Sequence, residues 1–321
     1  MNQSLTAEHR LRNLLHTLLL IGGMALLLAL ISGVLFGKGV WPWVFVGVIL
    51  AMSTLPDISP HWLLRLYHAR RLHPQQAPDL TRLMEQIGHR AGVTPTPALY
   101  WIPSSAINAF SVGSRDEAAI ALTDGLLQLL SPRELAGVLA HETSHIANHD
   151  MRLMNLADVI SRLTHMLSLT GILLALISLP LVLLGMAPLP LLGLLLLIAA
   201  PTLSALLQLG LSRVREFQAD LSAAHITGDP VGLASALGKI EYRQTSLWRR
   251  ILLPGYRDPE PSLLRTHPET AERVWRLLEL RDDPEMPNYP ILPDDVRGGR
   301  LPGDFGRVRS PRHRLFFRIW R

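Results

Sequence analysis

The amino-acid sequence predicts a mainly α-helical, polytopic membrane protein with about four transmembrane helices and a water-facing domain that contains a small β-sheet. Two stretches consist almost entirely of apolar residues, and charged residues are concentrated in the remaining segments. In a chain of 321 residues that is 48% hydrophobic, this uneven distribution indicates a membrane protein with a substantial part outside the bilayer.

The first apolar stretch, Leu14–Phe36, contains no Asp, Glu, Lys or Arg and is long enough to cross a bilayer as a helix. A turn at Gly37–Gly39 leads directly into a second run, Val40–Leu55, which starts with two tryptophans of the kind found at membrane interfaces. A cleaved signal peptide is the alternative, but its apolar core would be shorter and a small-residue cleavage site would follow. We therefore interpret residues 1–60 as an uncleaved transmembrane hairpin.

The second apolar stretch, Met166–Leu211, is also without charge, and Met186–Pro190 divides it into two helices of about membrane length. A buried core hairpin is the alternative, although more than forty uncharged residues are difficult to hide in a domain of this size. We expect residues 164–211 to form a second transmembrane hairpin.

Positively charged residues flank both hairpins. Arg10 and Arg12 precede the first hairpin and Arg213 and Arg215 follow the second. The residues that follow the first hairpin are Arg65, Arg70 and Arg71. By the positive-inside rule, this arrangement predicts the inner (cytoplasmic) membrane, with the water-facing domain in the cytoplasm.

Residues 61–163 have the pattern of the first part of a soluble domain. Asp79 is expected to cap an amphipathic helix, residues 98–102 and 118–122 to form strands, and residues 110–112 a possible third strand. A capping box at residues 131–134 is expected to open a helix that runs to about His149.

The second part of this domain is expected at residues 212–281 and should be helical. One helix is predicted to start at Asp229-Pro230, and a capping box at Thr266–Glu269 to start another. The Pro-, Gly- and Arg-rich residues 282–321 are expected to be poorly ordered, with contact to anionic lipid as the alternative.

Composition excludes two classes of site. The net charge is +5, but residues 297–321 carry eight Arg and one Asp, so the rest of the chain is close to −2 and a nucleic-acid-binding body is not expected. Because the chain has no cysteine, any zinc ion must be held by histidines and carboxylates.

Residues 141–145 read His-Glu-Thr-Ser-His. On a helix, His141 and His145 share a face and can bind one metal ion. Glu142 then lies beside the open coordination position of the metal and can take a proton from an attacking water. The alternative interpretation is that the two histidines are ordinary surface residues of a helix.

A catalytic zinc ion needs a third protein ligand, and Glu216 is the best candidate. Asp220 follows one turn later and is placed to accept a hydrogen bond from a ligand imidazole.

Several motifs together resemble the HtpX and CAAX-prenyl-protease family of membrane zinc peptidases, and the hairpin between the zinc motif and the third ligand resembles the HtpX branch. The similarity runs from about residue 91 to residue 280. It is carried by residues 108–110, 121–125, 134–145 with Asn148 and Asp150, 216–220 and 266–268.

The resemblance implies a gluzincin-type peptidase domain with one zinc ion per chain. It implies that Asn108 lies on an edge strand and binds the substrate backbone, and that His267 stabilises the oxyanion of the tetrahedral intermediate. For Asp150 it implies a supporting contact near the ligands or a purely structural role.

The leading functional hypothesis is therefore a membrane zinc metalloendopeptidase that hydrolyses membrane or misfolded proteins by attack of a zinc-activated water, with Glu142 as general base. Charged residues around the motif exclude an intramembrane protease. A non-catalytic membrane adaptor or holdase with a structural zinc site and a prenyl-protein-processing peptidase stay open, as does the oligomeric state.

Overall fold

The computed structural model describes residues 3–54, 60–186, 191–251, 270–282 and 291. The chain is mainly helical with one small sheet, as predicted. The helices are α1 (Gln3–Phe36), α2 (Trp41–Thr54), α3 (Pro60–Leu66), α4 (Pro78–Ala91), α5 (Asp124–Leu129), α6 (Pro132–Ala147), α7 (Asp150–Leu183), α8 (Leu191–Thr227), α9 (Pro230–Ile251) and α10 (Thr270–Glu279), and the strands are β1 (Arg70–Arg71), β2 (Ala98–Ile102), β3 (Ala109–Val112) and β4 (Ala119–Thr123).

These elements form two compact units. The first contains α1, α2, α7 and most of α8, and the second contains the sheet, α4, α6, α9, α10 and the last turns of α8. The division of the sequence into five segments with limits at 60, 163, 211 and 281 stays a prediction.

The first unit has the composition of a membrane domain. Among the described residues, three helices are long and apolar enough to cross a bilayer: Leu14–Phe36, Asp150–Leu183 and Leu191–Thr227. The apolar helix α2 is shorter, since its 14 residues rise about 21 Å against a hydrocarbon core of about 30 Å. These helices confirm the prediction that the chain is a membrane protein.

Inside this unit, α1 packs on α7 through a core to which Met24, Leu28, Leu156 and Ile160 contribute. The Ser168 hydroxyl on α7 donates to a carbonyl oxygen on α8. Small and polar residues at such contacts are typical of helix association in membranes. Large apolar side chains on the outside of the helices stay exposed, as lipid-facing residues would be. They include Leu173, Leu174, Ile177, Leu192 and Leu195.

The second unit is organised around a four-stranded sheet in the order β1-β2-β4-β3. The central pair β2 and β4 is parallel, and β1 and β3 run antiparallel to their neighbours at the two edges. All five residues of β4 are buried, which fits its central position. The predicted strands at 98–102, 110–112 and 118–122 are confirmed to within one residue.

The start of α4 differs from the prediction that Asp79 caps it. Ala77 is the N-cap residue and makes no side-chain cap bond, while Asp79 lies in the first turn and pairs with Arg82. Pro78 accounts for the difference, because proline is favoured at the first helical position, where its missing N–H is not needed. The amphipathic character is confirmed, since Leu80 is among the fully buried side chains.

Helices α6 and α9 pack against each other at unusually short range. A β-carbon added to Gly137 would lie 2.9 Å from the Leu233 α-carbon, closer than real contacts allow. Glycine is therefore required at this crossing, which holds the zinc-motif helix against the core of the second unit.

Candidate metal centre

Helix α6 starts with the predicted capping box. The Ser131 hydroxyl accepts from the backbone N–H of Glu134, and the Glu134 carboxylate accepts from the backbone N–H of Ser131 at 2.8 Å. Arg133 adds two bonds to the Asp229 carboxylate at the start of α9, at 2.5 and 2.7 Å. Backbone and side-chain hydrogen bonds thus both hold the first turn of α6 in place. They set the direction of the helix that carries His141 and His145.

The environment of Glu134 changes its acidity. Burial of the carboxyl group acts to raise the pKa, but hydrogen bonds from Lys239, Ser235 and Ser131 together outweigh it and hold the pKa below its ordinary value. Glu134 is therefore an ionised, fully hydrogen-bonded anchor at neutral pH.

The two motif histidines meet on one face of α6. His141 Nε2 lies 3.2 Å from His145 Nε2, and the rings are nearly perpendicular at 88° with centroids 4.7 Å apart. Two nitrogens bound to a tetrahedral zinc ion at about 2.0–2.1 Å would lie roughly 3.3–3.4 Å from each other. The observed separation fits a shared metal ion.

The other ring nitrogen of His141 faces a carboxylate. His141 Nδ1 lies 3.0 Å from Asp220 Oδ1, on the part of α8 that belongs to the second unit. An imidazole with its proton on Nδ1, facing Asp220, would present the lone pair of Nε2 to a metal. The structure thus forms the expected contact between Asp220 and a motif histidine.

Glu216 precedes Asp220 by one turn on α8, so the two carboxylates share a helix face. One ligand atom each from His141, His145 and Glu216 lies within 4.8 Å of the other two, and His141 and Glu216 are buried. Two imidazoles and one carboxylate are a donor set that zinc accepts, with one position left for water. The residues present therefore fit a zinc ion.

The remaining predicted residues take different positions. Glu142 is half-buried, directly after His141 on α6. Asn108 is exposed and directly precedes the edge strand β3, with its backbone N–H donating to Thr123 Oγ1 at 2.9 Å. Asp150 is buried and accepts from Arg215 at 2.5 Å in the first unit. His267 lies outside the described residues.

One residue beside the site was not predicted from the sequence. Arg273 on α10 binds both oxygens of Asp220, each at 2.7 Å. A signal was present, because Arg273 and Leu277 are four residues apart and therefore occupy the buried face of an amphipathic helix. A cation at such a position needs a buried partner.

A helix-borne His-Glu-x-x-His motif in a chain with membrane-length helices defines the class of membrane proteases. A family model confirms the class, since that of peptidase family M48 matches residues 74–281. The chain belongs to this family and, by its relatives, to the HtpX proteases.

Three relatives illustrate the similarity, and each is named Protease HtpX homolog. The protein of Acaryochloris marina is 37% identical over 297 residues, covering 87% of this chain and 95% of the relative. That of Ralstonia pickettii is 30% identical over 299 residues, which are 86% of this chain and 99% of the relative. That of Bifidobacterium longum is 33% identical over 238 residues, which are 70% of this chain and 77% of the relative. In the first two relatives the similarity covers more of the chain than the family match to residues 74–281 and therefore extends beyond it.

Proposed function

We propose that this chain is a zinc metalloendopeptidase of the cytoplasmic membrane, with His141, His145 and Glu216 as the zinc ligands. The observation that carries the proposal is the convergence of the two imidazole Nε2 atoms, 3.2 Å apart, with a carboxylate oxygen of Glu216. Asp220 supports it, because its carboxylate lies beside His141 Nδ1 and favours a proton on that nitrogen, which leaves Nε2 for the metal.

When bound, zinc supplies a Lewis acid that polarises a peptide carbonyl and makes water a better nucleophile near neutral pH. Glu142 directly follows His141 on α6 and is half-buried, so its carboxylate has the position of a general base. It accepts the proton of the attacking water and then delivers that proton to the leaving nitrogen. By resemblance, His267 stabilises the negative charge on the carbonyl oxygen.

The substrate is proposed to bind as an extended strand. Among the residues that the structure describes, β3 is an edge strand with no strand paired to its outer side, and the exposed Asn108 side chain lies at its start. An extended polypeptide can add to such an edge through backbone hydrogen bonds, with Asn108 holding one peptide group. This mode requires unfolded segments, which favours membrane or misfolded proteins as substrates.

The membrane orientation is proposed from charge. Arginines flank the two hydrophobic hairpins, which supports a cytoplasmic location of the peptidase unit. A substrate would then be approached from the cytoplasmic side of the membrane.

The test compares wild type with Glu142→Gln in detergent, using a fluorescently labelled unfolded polypeptide as substrate. We expect the variant to lose about 10²–10⁴-fold in turnover, the usual contribution of a general base, while keeping its zinc. Glu85→Gln, an exposed change on α4, serves as the matched control and should cleave like wild type.

Undiminished turnover in Glu142→Gln would contradict the mechanism. Stoichiometric zinc without any hydrolysis in the wild type would instead support a non-catalytic adaptor or holdase. A prenylated peptide run beside the unmodified substrate tests the prenyl-protein alternative.

A further inference from the structure

Asp220 is shared between a proposed zinc ligand and a buried cation. Its Oδ1 atom lies 3.0 Å from His141 Nδ1 and 2.7 Å from an Arg273 nitrogen, and its Oδ2 atom accepts from Arg273 Nε at 2.7 Å. The Asp220 and Arg273 side chains are only 6% and 9% exposed. The three groups form one buried chain from α10 through α8 to the zinc-motif helix.

The two-point contact fixes the carboxylate more tightly than a single bond would. A guanidinium presents two parallel N–H groups in a plane, so the Asp220 carboxylate is held in that plane and cannot rotate. The position of Oδ1 relative to His141 Nδ1 is set by the same contact. A lysine at this position would keep the charge but would not fix the plane.

We propose that Arg273 is a positioning residue of the metal centre, which acts on His141 through Asp220. It holds the carboxylate in the orientation that keeps the His141 proton on Nδ1 and directs Nε2 at the metal. This inference rests on the proposed function, since it needs a metal ion on His141. The competing view is that the Arg273–Asp220 pair only fastens α10 to the end of α8.

The same helix provides a matched control. Arg276 lies three residues after Arg273 on α10 and pairs with Glu272 at 2.8 Å, but both of these side chains are 48% exposed. Arg276→Gln therefore removes an arginine and an ion pair from the same helix without touching Asp220.

The experiment measures the zinc dissociation constant of the full-length protein in detergent by competition with a chelating dye. Arg273→Gln is expected to weaken zinc binding about 10–100-fold, as loss of a ligand's supporting contact usually does. Arg273→Lys should fall between this variant and wild type, and Arg276→Gln should match wild type. The thermal midpoint of metal-free protein is recorded for each variant.

A double variant tests whether Arg273 acts on zinc through Asp220 or independently of it, while the zinc affinity of the single Arg273 variants separates positioning from simple fastening. If Arg273 acts through Asp220, Arg273→Gln adds nothing to the loss of zinc affinity already caused by Asp220→Asn. If Arg273→Gln alone does not fold, the zinc affinity of Arg273→Lys decides between positioning and fastening, because lysine keeps the charge but does not fix the plane of the carboxylate. The double variant contains no buried charge at the pair and is then compared with Asp220→Asn.

Two results would overturn the inference while leaving the proposed function standing. One is a lowered thermal midpoint in the Arg273 variants with zinc affinity within about threefold of wild type, less than the loss of a supporting contact normally causes. The other is a double variant whose losses in affinity multiply. A wild-type protein that binds no zinc would overturn the proposed function, and the inference with it.

Discussion

Lys239 on α9 lies 2.8 Å from the carboxylate of Glu134 in the first turn of α6. The other oxygen of this carboxylate accepts from the Ser235 hydroxyl at 2.5 Å. One side chain therefore closes the capping box of the zinc-motif helix and ties that helix to α9. The Glu134 side chain is only 5% exposed and that of Lys239 is 47% exposed, so the carboxylate is largely protected from water although the lysine side chain is not.

This relationship predicts a specific dependence of stability on pH. The pKa of Glu134 is lowered in the folded protein, so the unfolded chain binds more protons near the ordinary glutamate value of about 4.3. The stabilisation is complete above that value and is lost as pH falls through the lower, folded-state pKa. In detergent, the thermal midpoint of wild type should thus fall more steeply with acid than that of Glu134→Gln.

The comparison is made from neutral pH down to about pH 3, below the ordinary glutamate pKa. Glu85→Gln, which changes an exposed glutamate, should follow the wild-type curve. Parallel curves for wild type and Glu134→Gln would contradict the role given to Glu134.

The crossing of α6 and α9 predicts that Gly137→Ala destabilises the protein. The new methyl group would lie 2.9 Å from the Leu233 α-carbon, and backbone atoms cannot move aside as a flexible side chain can. We expect a loss of about 1–3 kcal/mol, the usual cost of overpacking, measured as a lower thermal midpoint. The matched control is Gly238→Ala on α9, where nothing lies within 4 Å, and it should be neutral or stabilising. Equal midpoints for the two variants would show that the helices do not pack this closely.

The buried pair of Asp150 and Arg215 gives a prediction for the first unit. Their side chains are 4% and 12% exposed, so Asp150→Ala leaves a buried cation without this partner. Such a loss costs about 3–5 kcal/mol, whereas replacing both charges with apolar groups costs much less. Metal-free Asp150→Ala should therefore unfold at a lower temperature than the double variant Asp150→Ala/Arg215→Met. A double variant that is less stable than Asp150→Ala would contradict a paired, structural role for Asp150.

The sequence predicted what depends on local pattern. The capping box at Ser131 and Glu134 and the shared face of His141 and His145 follow from helical spacing alone, so both were foreseen. The membrane helices follow from uninterrupted apolar composition, which any bilayer-crossing helix requires.

What the sequence did not predict depends on contacts between distant residues. Arg273 and Asp220 are 53 positions apart, and no spacing rule connects them. The strand β1 has only two residues and exists because Arg70 and Arg71 pair with Trp101 and Tyr100. In the sequence, these two arginines show only positive charge, which indicates membrane orientation and gives no sign of a strand.

The most direct test of the account is the zinc content of detergent-purified protein, measured by elemental analysis for wild type and Glu216→Gln. Glu85→Gln serves as a control that removes an exposed carboxylate. We predict about one zinc ion per chain in wild type and control. Zinc should be lost or much more weakly held in Glu216→Gln, because a catalytic zinc site normally has three protein ligands. Stoichiometric, equally tight zinc in Glu216→Gln would contradict the His141, His145 and Glu216 site, and metal-free wild-type protein would contradict the zinc peptidase itself.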